Sequence, residues 1–469
     1  MNGYTLTADN SATGKIIVLG KMTLKDSSTE KKGKIVASQD YTAASYNGSL
    51  IEIAGEDASM TMESGNISAV RETPDSNGQY GVGVTDGGDF TMTGGKIEAG
   101  WFAVAGNGNY KTQNSIINIT DGELISTADY AVYLPQSGTT TISGGKVYGA
   151  AGGVCIQRGT LNVEGTALIT SKGTGSTGNW GDGTGGLDCA AINVSGAYGI
   201  ATVNIKGGTL IAEAKSLITE GTTYTPVINV TGGTFSDPSV LKYMATNATV
   251  DIKLLSNINI AKTELATGYI LNAANATANL NLNGHDIINS SETADATPFT
   301  QIFTVQNGTL NISGNGNVKC DASATAKDDG YRMVIEARGY GTVNIHGGSY
   351  YNTQKLNTQI DLIYARENGK INIYGGTFES GKYGTPNNDT DGRYWVLNLK
   401  NTDKNTASIQ VSGGTFINFN PANPNMDDNE SYLVTGYEVT RDGSVYTAAH
   451  KVGDGRKEYI VGQTSQENR

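Results

Sequence analysis

The chain is short of the residues that usually staple a fold or mark a reactive centre. It holds 8 prolines, 3 cysteines and 3 histidines in 469 residues. Cys155, Cys189 and Cys320 are odd in number and far apart, and no Cys-x-x-Cys or Cys/His spacing accompanies them. That argues against a disulfide framework or a zinc site, and each reads as a buried thiol in a strand. No apolar run approaches the length of a membrane span. The opening Met1-Asn2-Gly3-Tyr4-Thr5 has no basic n-region and no apolar h-region, so no signal peptide is read there. Positive charge is also scarce: 33 Lys and Arg face 45 Asp and Glu, a net charge of −12. Such a field disfavours nucleic acid and anionic membrane as partners. It suits a soluble surface able to hold cations.

Glycine is what the chain has in abundance, with 63 residues. Hydrophobic residues make 37 %, low for a packed globule but enough for a solenoid with a thin core. One phrase recurs throughout. It reads Lys370-Ile371-Asn372-Ile373-Tyr374-Gly375-Gly376-Thr377-Phe378, and again Thr202-Val203-Asn204-Ile205-Lys206-Gly207-Gly208-Thr209-Leu210. Further copies carry Gly232-Gly233, Gly347-Gly348 and Gly413-Gly414, and weaker ones end at Gly65, Gly95, Gly122, Gly145, Gly165 and Gly316. Spacings of roughly 20–40 residues signal a solenoid, a propeller or an array. Disorder would not keep apolar residues alternating in fixed phase.

The apolar-Asn-apolar triplet alternates with period two. Ile371 and Ile373 therefore share one face, and Asn372 takes the other. With the isoleucines inward, stacked coils make aliphatic ladders, and the asparagines align as amide rungs. The glycine pairs (Gly94-Gly95, Gly144-Gly145, Gly207-Gly208, Gly232-Gly233, Gly347-Gly348, Gly375-Gly376, Gly413-Gly414) are the expected corners. Glycine turns there with positive φ and no Cβ penalty. No long amphipathic helix separates the strands, and the units are too short for four-stranded blades. The expected fold is an all-β, right-handed parallel β-helix solenoid with a C-terminal β-hairpin cap.

Units of one plan are expected at 1–248 and 249–435, a capping hairpin at 436–450 and a polar tail at 451–469. The pattern breaks at Ser236-Asp237-Pro238, a helix-start signal predicting one or two helical turns. Asp442-Gly443 sets the hairpin turn. Met1-Asn2-Gly3 matches Leu282-Asn283-Gly284 without its lead-in, so the first coil is expected to begin part-way through a repeat and to rest on another protein.

This pattern resembles the pectate-lyase-like right-handed β-helix superfamily over nearly the whole chain. The Gly-Gly-Thr-Phe corners, Gly436-Tyr437-Glu438-Val439 and the Asp442-Gly443 hairpin are similar to β-helix repeat proteins of gut bacteria and their phages. The resemblance implies a fibre, spike or surface protein, on a virion or outside a cell. Spikes of this kind often trimerise, although no heptad here supports a homotrimer.

The superfold also hosts polysaccharide lyases and hydrolases. The hydrolase branch carries Asn-Thr-Asp, Asp-Asp, Gly-His-Gly and Arg-Ile-Lys in that order. Here Asn401-Thr402-Asp403 and Asp427-Asp428 occur, Gly284-His285-Asp286 comes first, and Arg-Ile-Lys is missing. These read as chance matches. Arg338 and Arg366 repeat beside Glu336 and Glu367, and read as a solvated ladder of alternating charge. Asn387, Asp389 and Asp391 match the start of a calcium loop, but position twelve is Asn398, so an ordinary Asx turn is favoured over a Ca2+ site. No other cofactor is expected. The best candidates for a glycan-binding patch are Trp180 and Asp182 in one Gly-rich loop, and Tyr383, Tyr394 and Trp395 in another. The sequence favours a non-enzymatic structural and binding protein that contacts surface polysaccharide. A lyase or glycoside hydrolase, and a secreted adhesin, are the alternatives.

Overall fold

A computed structural model describes residues 1–8, 15–38, 48–70, 80–107, 113–176, 187–220, 223–260, 268–289, 299–320, 331–352, 360–380, 394–424 and 430–451. These residues are all-β, built from long parallel sheets, with two short 3-10 turns as the only helical elements described. Each coil lays down a strand on each of three faces. One coil of the first half runs Tyr130–Leu134, Gly138–Ile142, Lys146–Gly149. Strands of the stack pair in parallel with their counterparts one coil later: Val132 with Val154, Ile142 with Val163, Val147 with Ile169. The second half repeats the pattern, as in Ile360–Ala365, Lys370–Ile373, Thr377–Ser380. The arrangement is a solenoid-like stack of coils.

Alternation decides what lies inside. Ile371, Ile373, Val343, Ile345, Val203 and Ile205 are buried in one continuous apolar core. The large residue after each corner enters the same core. Tyr350, Phe378 and Phe416 stack there at 5.1 and 5.0 Å between ring centroids. Offset stacking of this kind adds to area burial. The corners divide the labour between their glycines. The second of each pair has positive φ (Gly95, Gly145, Gly208, Gly233, Gly348, Gly376 and Gly414), and the first does not.

The asparagines form directional ladders. Asn372 Nδ2 donates to Asn344 Oδ1 at 2.8 Å, Asn344 to Asn311 at 2.8 Å, Asn311 to Asn279 at 2.8 Å, and Asn279 to Asp251 at 2.9 Å. Each rung donates to the coil before it, which leaves the first rung with nothing to do but accept. Asp251, a pure acceptor, holds that place. A second ladder runs from Asn229 through Asn204 to Asn162 and Thr141. Each rung contributes about 0.5–1.5 kcal/mol net.

The two ladders are not in line. In the first half the apolar-Asn-apolar strand ends on the second face at Val227–Val230. In the second half it starts at Thr249–Lys253, which pairs Asp251 with Thr234 and Ile252 with Phe235. Thr234–Phe235 is a third-face strand. The same plan therefore resumes rotated by one face. The connection is the expected helical segment, a 3-10 turn at Pro238–Tyr243. Asp237 caps it by accepting from Ser239 N, and its other oxygen accepts from Ser216 N. Val240 and Leu241 are buried in the core, and Met244 bridges to Val230. At the other end Tyr437–Asp442 and Val445–His450 form the antiparallel hairpin, which joins the third-face ladder through Ile417 and Val445.

Candidate functional site

The longest connections fall at one place in the coil, between a third-face strand and the next first-face strand. They join Ala69 to Tyr80, Ser171 to Ala190, Cys320 to Tyr331 and Ser380 to Tyr394. The corners between second and third faces are short, as from Ile373 to Thr377. Trp180, Asp182, Tyr383, Asn387, Asp389 and Asp391 all lie in these long connections, outside the described residues. Of the sequence candidates, only the backbone of Tyr394 and the half-buried Trp395 fall within a described strand.

The first face carries a buried cluster in each half. In the first half, Tyr80, Trp101, Phe102, Tyr130 and Tyr133 gather with Cys155, Leu187 and Cys189, separate from the main core. Phe102 and Tyr133 stack at 4.7 Å. Below them Glu220 accepts from Asp188 N at 3.0 Å and from Asn193 Nδ2 at 2.8 Å. Burial raises the Glu220 carboxyl above its ordinary value, against those hydrogen bonds. All three cysteines are free and buried, Cys320 in the main core.

In the second half, registers bring Met333, Asp361 and Trp395 into one row, and Glu336, Tyr364 and Asn398 into another. The ladder of solvated charges expected at Arg338 and Arg366 is not found. Glu336 is buried, 2 % exposed, and accepts from Arg366 Nε at 2.6 Å with Arg338 Nη1 at 4.0 Å. Arg366 also pairs with Glu367. The reason is positional: Glu336 lies between Thr304 and Tyr364 of the neighbouring coils, with Arg338 of its own strand and Arg366 of the next beside it, so water is displaced from it. Burial alone would lower the Arg366 guanidinium, but the Glu336 carboxylate holds it raised. Asp361 is equally buried and accepts from Asn398 Nδ2 at 2.9 Å. Burial, reinforced by Asp361, pushes the Tyr364 phenol up to about 12.

Tyr364 stays protonated near neutrality, and Glu336 is matched by a guanidinium. Asp403, of the Asn401-Thr402-Asp403 match, accepts from Glu367 N at 2.6 Å and Thr402 Oγ1 at 2.8 Å, so it pins a turn. Its carboxyl is held low by the Glu367 N–H. His346 is exposed and stacks on Tyr374 at 4.7 Å. Among the described residues no group of three or more His, Cys, Asp or Glu is placed to hold a metal ion.

Sequence reading missed an open groove on the other edge of the first face. It has a volume of about 760 Å³. Its shape follows from connection length. The first-to-second-face turns 135–137 and 157–158 are tight, whereas those at 106–114, 196–200 and 221–226 are longer. The tight turns make the floor. Gly138 is needed there, because at φ +125° a Cβ would stand 2.1 Å from Ser115 O. Ile116, Ile200 and Tyr224 line the groove and are substantially exposed. Unequal spacing of the turns was the signal available in the sequence.

No protein-family model matches the chain, and no curated protein is similar to it.

Proposed function

We propose that the chain is a right-handed parallel β-helix that acts as a non-enzymatic structural and binding protein, holding a glycan against the corner of a half that carries its long connections. The supporting observation is the placement of those connections. In each half they leave from the corner between the third and first faces, which the one-face rotation sets on different edges of the stack, next to first-face clusters rich in buried aromatic and charged side chains. Insertions confined to one face of a repeat protein commonly form its binding face. The stacked backbone and amide ladders supply rigidity suited to a fibre, spike or surface shaft. A virion or extracellular setting, docking of other surface proteins at the first coil, and a homotrimer belong to the same reading. Calcium held by Asn387, Asp389 and Asp391 would be an accessory to it.

The lyase or hydrolase alternative needs a base, or an acid–base pair, in a cleft. The second-half cluster pairs its buried Glu336 with Arg366 instead, which favours the binding reading. The test is incubation of the purified chain with a panel of neutral and acidic polysaccharides. Retention by one or more of them, with no new reducing ends and no unsaturated products, is expected. Depolymerisation of any panel member would overturn the reading in favour of an enzyme, and failure to retain any would remove the glycan from it.

A further inference from the structure

We infer that the groove around Arg158 binds a sugar ring that bears a carboxylate. The groove lies on the opposite edge of the first face from the first half's long connections, so this goes beyond the proposed site while resting on the same glycan-binding reading. The argument starts from charge. The chain has a net charge of −12, and several described basic side chains find carboxylates, as Lys15 does with Glu52, Lys146 with Glu123 and Arg366 with Glu336. Arg158 lines the groove and makes no ion pair among the described residues. Its one side-chain hydrogen bond is a long one, Nη1 to Tyr198 O at 3.4 Å. A half-buried guanidinium with most of its donors unused, opening into this groove, is a fork without its anion.

The rest of the groove fits a sugar. Ile200 and Tyr224 offer apolar surface to a ring face, with Tyr224 keeping a polar edge. Ser137, Thr139 and Thr160 present hydroxyls along the floor. Nucleic acid or a polyphosphate would bring many charges to a protein whose field repels them, while one carboxylate per ring needs one guanidinium. The wall is also held without Arg158: Gly159 N donates to Ile200 O at 3.2 Å, and Tyr224 N to Gly196 O at 3.1 Å.

The test measures binding of a hyaluronan tetrasaccharide and of 3′-sialyllactose, which carry the carboxylate on different sugars, against neutral lactose. Charge-assisted hydrogen bonds predict an acidic sugar favoured over lactose by about tenfold or more. Arg158→Gln should erase that preference while leaving lactose binding and the melting temperature unchanged. Arg158→Lys should restore part of it, as a point charge without the fork. Tyr224→Ala, at an exposed position, should weaken acidic and neutral sugars alike, and serves if Arg158→Gln fails to fold. Equal binding of acidic sugars by wild type and Arg158→Gln, no preference over lactose, or no binding of the acidic probes would overturn the inference. Retention of neutral polysaccharide in any of those cases leaves the glycan-binding reading standing, and loss of all retention removes both.

Discussion

At the scale of single residues, the chain puts its few buried charges where backbone or a partner can match them. Asp26 is the sharpest case. It is fully buried, and its carboxylate accepts from Gly33 N at 2.6 Å, Gly3 N at 2.8 Å, Ser28 N at 3.1 Å and Ser28 Oγ at 2.8 Å. Burial pushes its carboxyl up, but the N–H groups of Gly33, Ser28 and Gly3 win and hold it far below the ordinary range. A carboxyl depressed in the folded state binds its proton first in the unfolded state. The stability it supplies is whole above the unfolded value of about 4 and is lost as pH falls below it. The first coils should therefore loosen first in acid, seen as early loss of amide protection around residues 3 and 33. Asp26→Asn, which cannot match all those donors, should be less stable at pH 7 and lose less on acidification. An unchanged acid profile in that variant would sink the assignment. Asn372 was legible as a ladder rung because period-two alternation is local. The isolation of Arg158 was not, because it depends on which acids other coils bring near.

At the scale of the element, the corner was legible as a motif but not in its internal division. Gly207 and Gly208 read alike in sequence. In the structure Gly208 turns with φ +80° and a Cβ there would lie 3.0 Å from Ala167 O, while Gly207 has no positive φ and its nearest neighbour would be Gly165 N at 3.3 Å. Gly208→Ala should cost about 1–2 kcal/mol from the left-handed backbone alone, before any shift of the neighbouring strand. Gly207→Ala should cost less than about 1 kcal/mol, since alanine loses less conformational freedom on folding than glycine. Urea midpoints of the two variants measure the difference, and equal losses would mean that the corner needs both glycines for the same reason. The helix-start signal at Asp237-Pro238 was read correctly as a break, and its cap is formed by Asp237. That it becomes a 3-10 turn follows from its short length and from the need to hand Val240 and Leu241 to the core within one coil.

At the scale of the whole molecule, the one-face rotation near residue 240 has consequences that no repeat motif carries. The phrase in each coil gives the order of faces along the chain, and that order is unchanged across the break. Which column a strand stacks on depends on how far the connection travels, and the sequence of the repeat does not encode it. At the junction, Thr234–Phe235 with Thr249–Lys253 continues the named ladder, with Val230 and Met244 adding a single bridge, whereas coils elsewhere pair on up to three faces. In a stack where each coil touches only its neighbours, stability is close to a sum of coil and interface terms, so the weakest interface limits cooperativity. Phe235 is buried at that interface. Phe235→Ala should remove about 3–5 kcal/mol there. Trp101 reports the first half and Trp395 the second, so variants keeping one tryptophan each can follow them apart. With Phe235→Ala added, the two fluorescence midpoints in urea should separate further than in the parent proteins. An unchanged gap would show that the halves are coupled by contacts other than this ladder, and that the rotated junction transmits stability as well as an ordinary coil does.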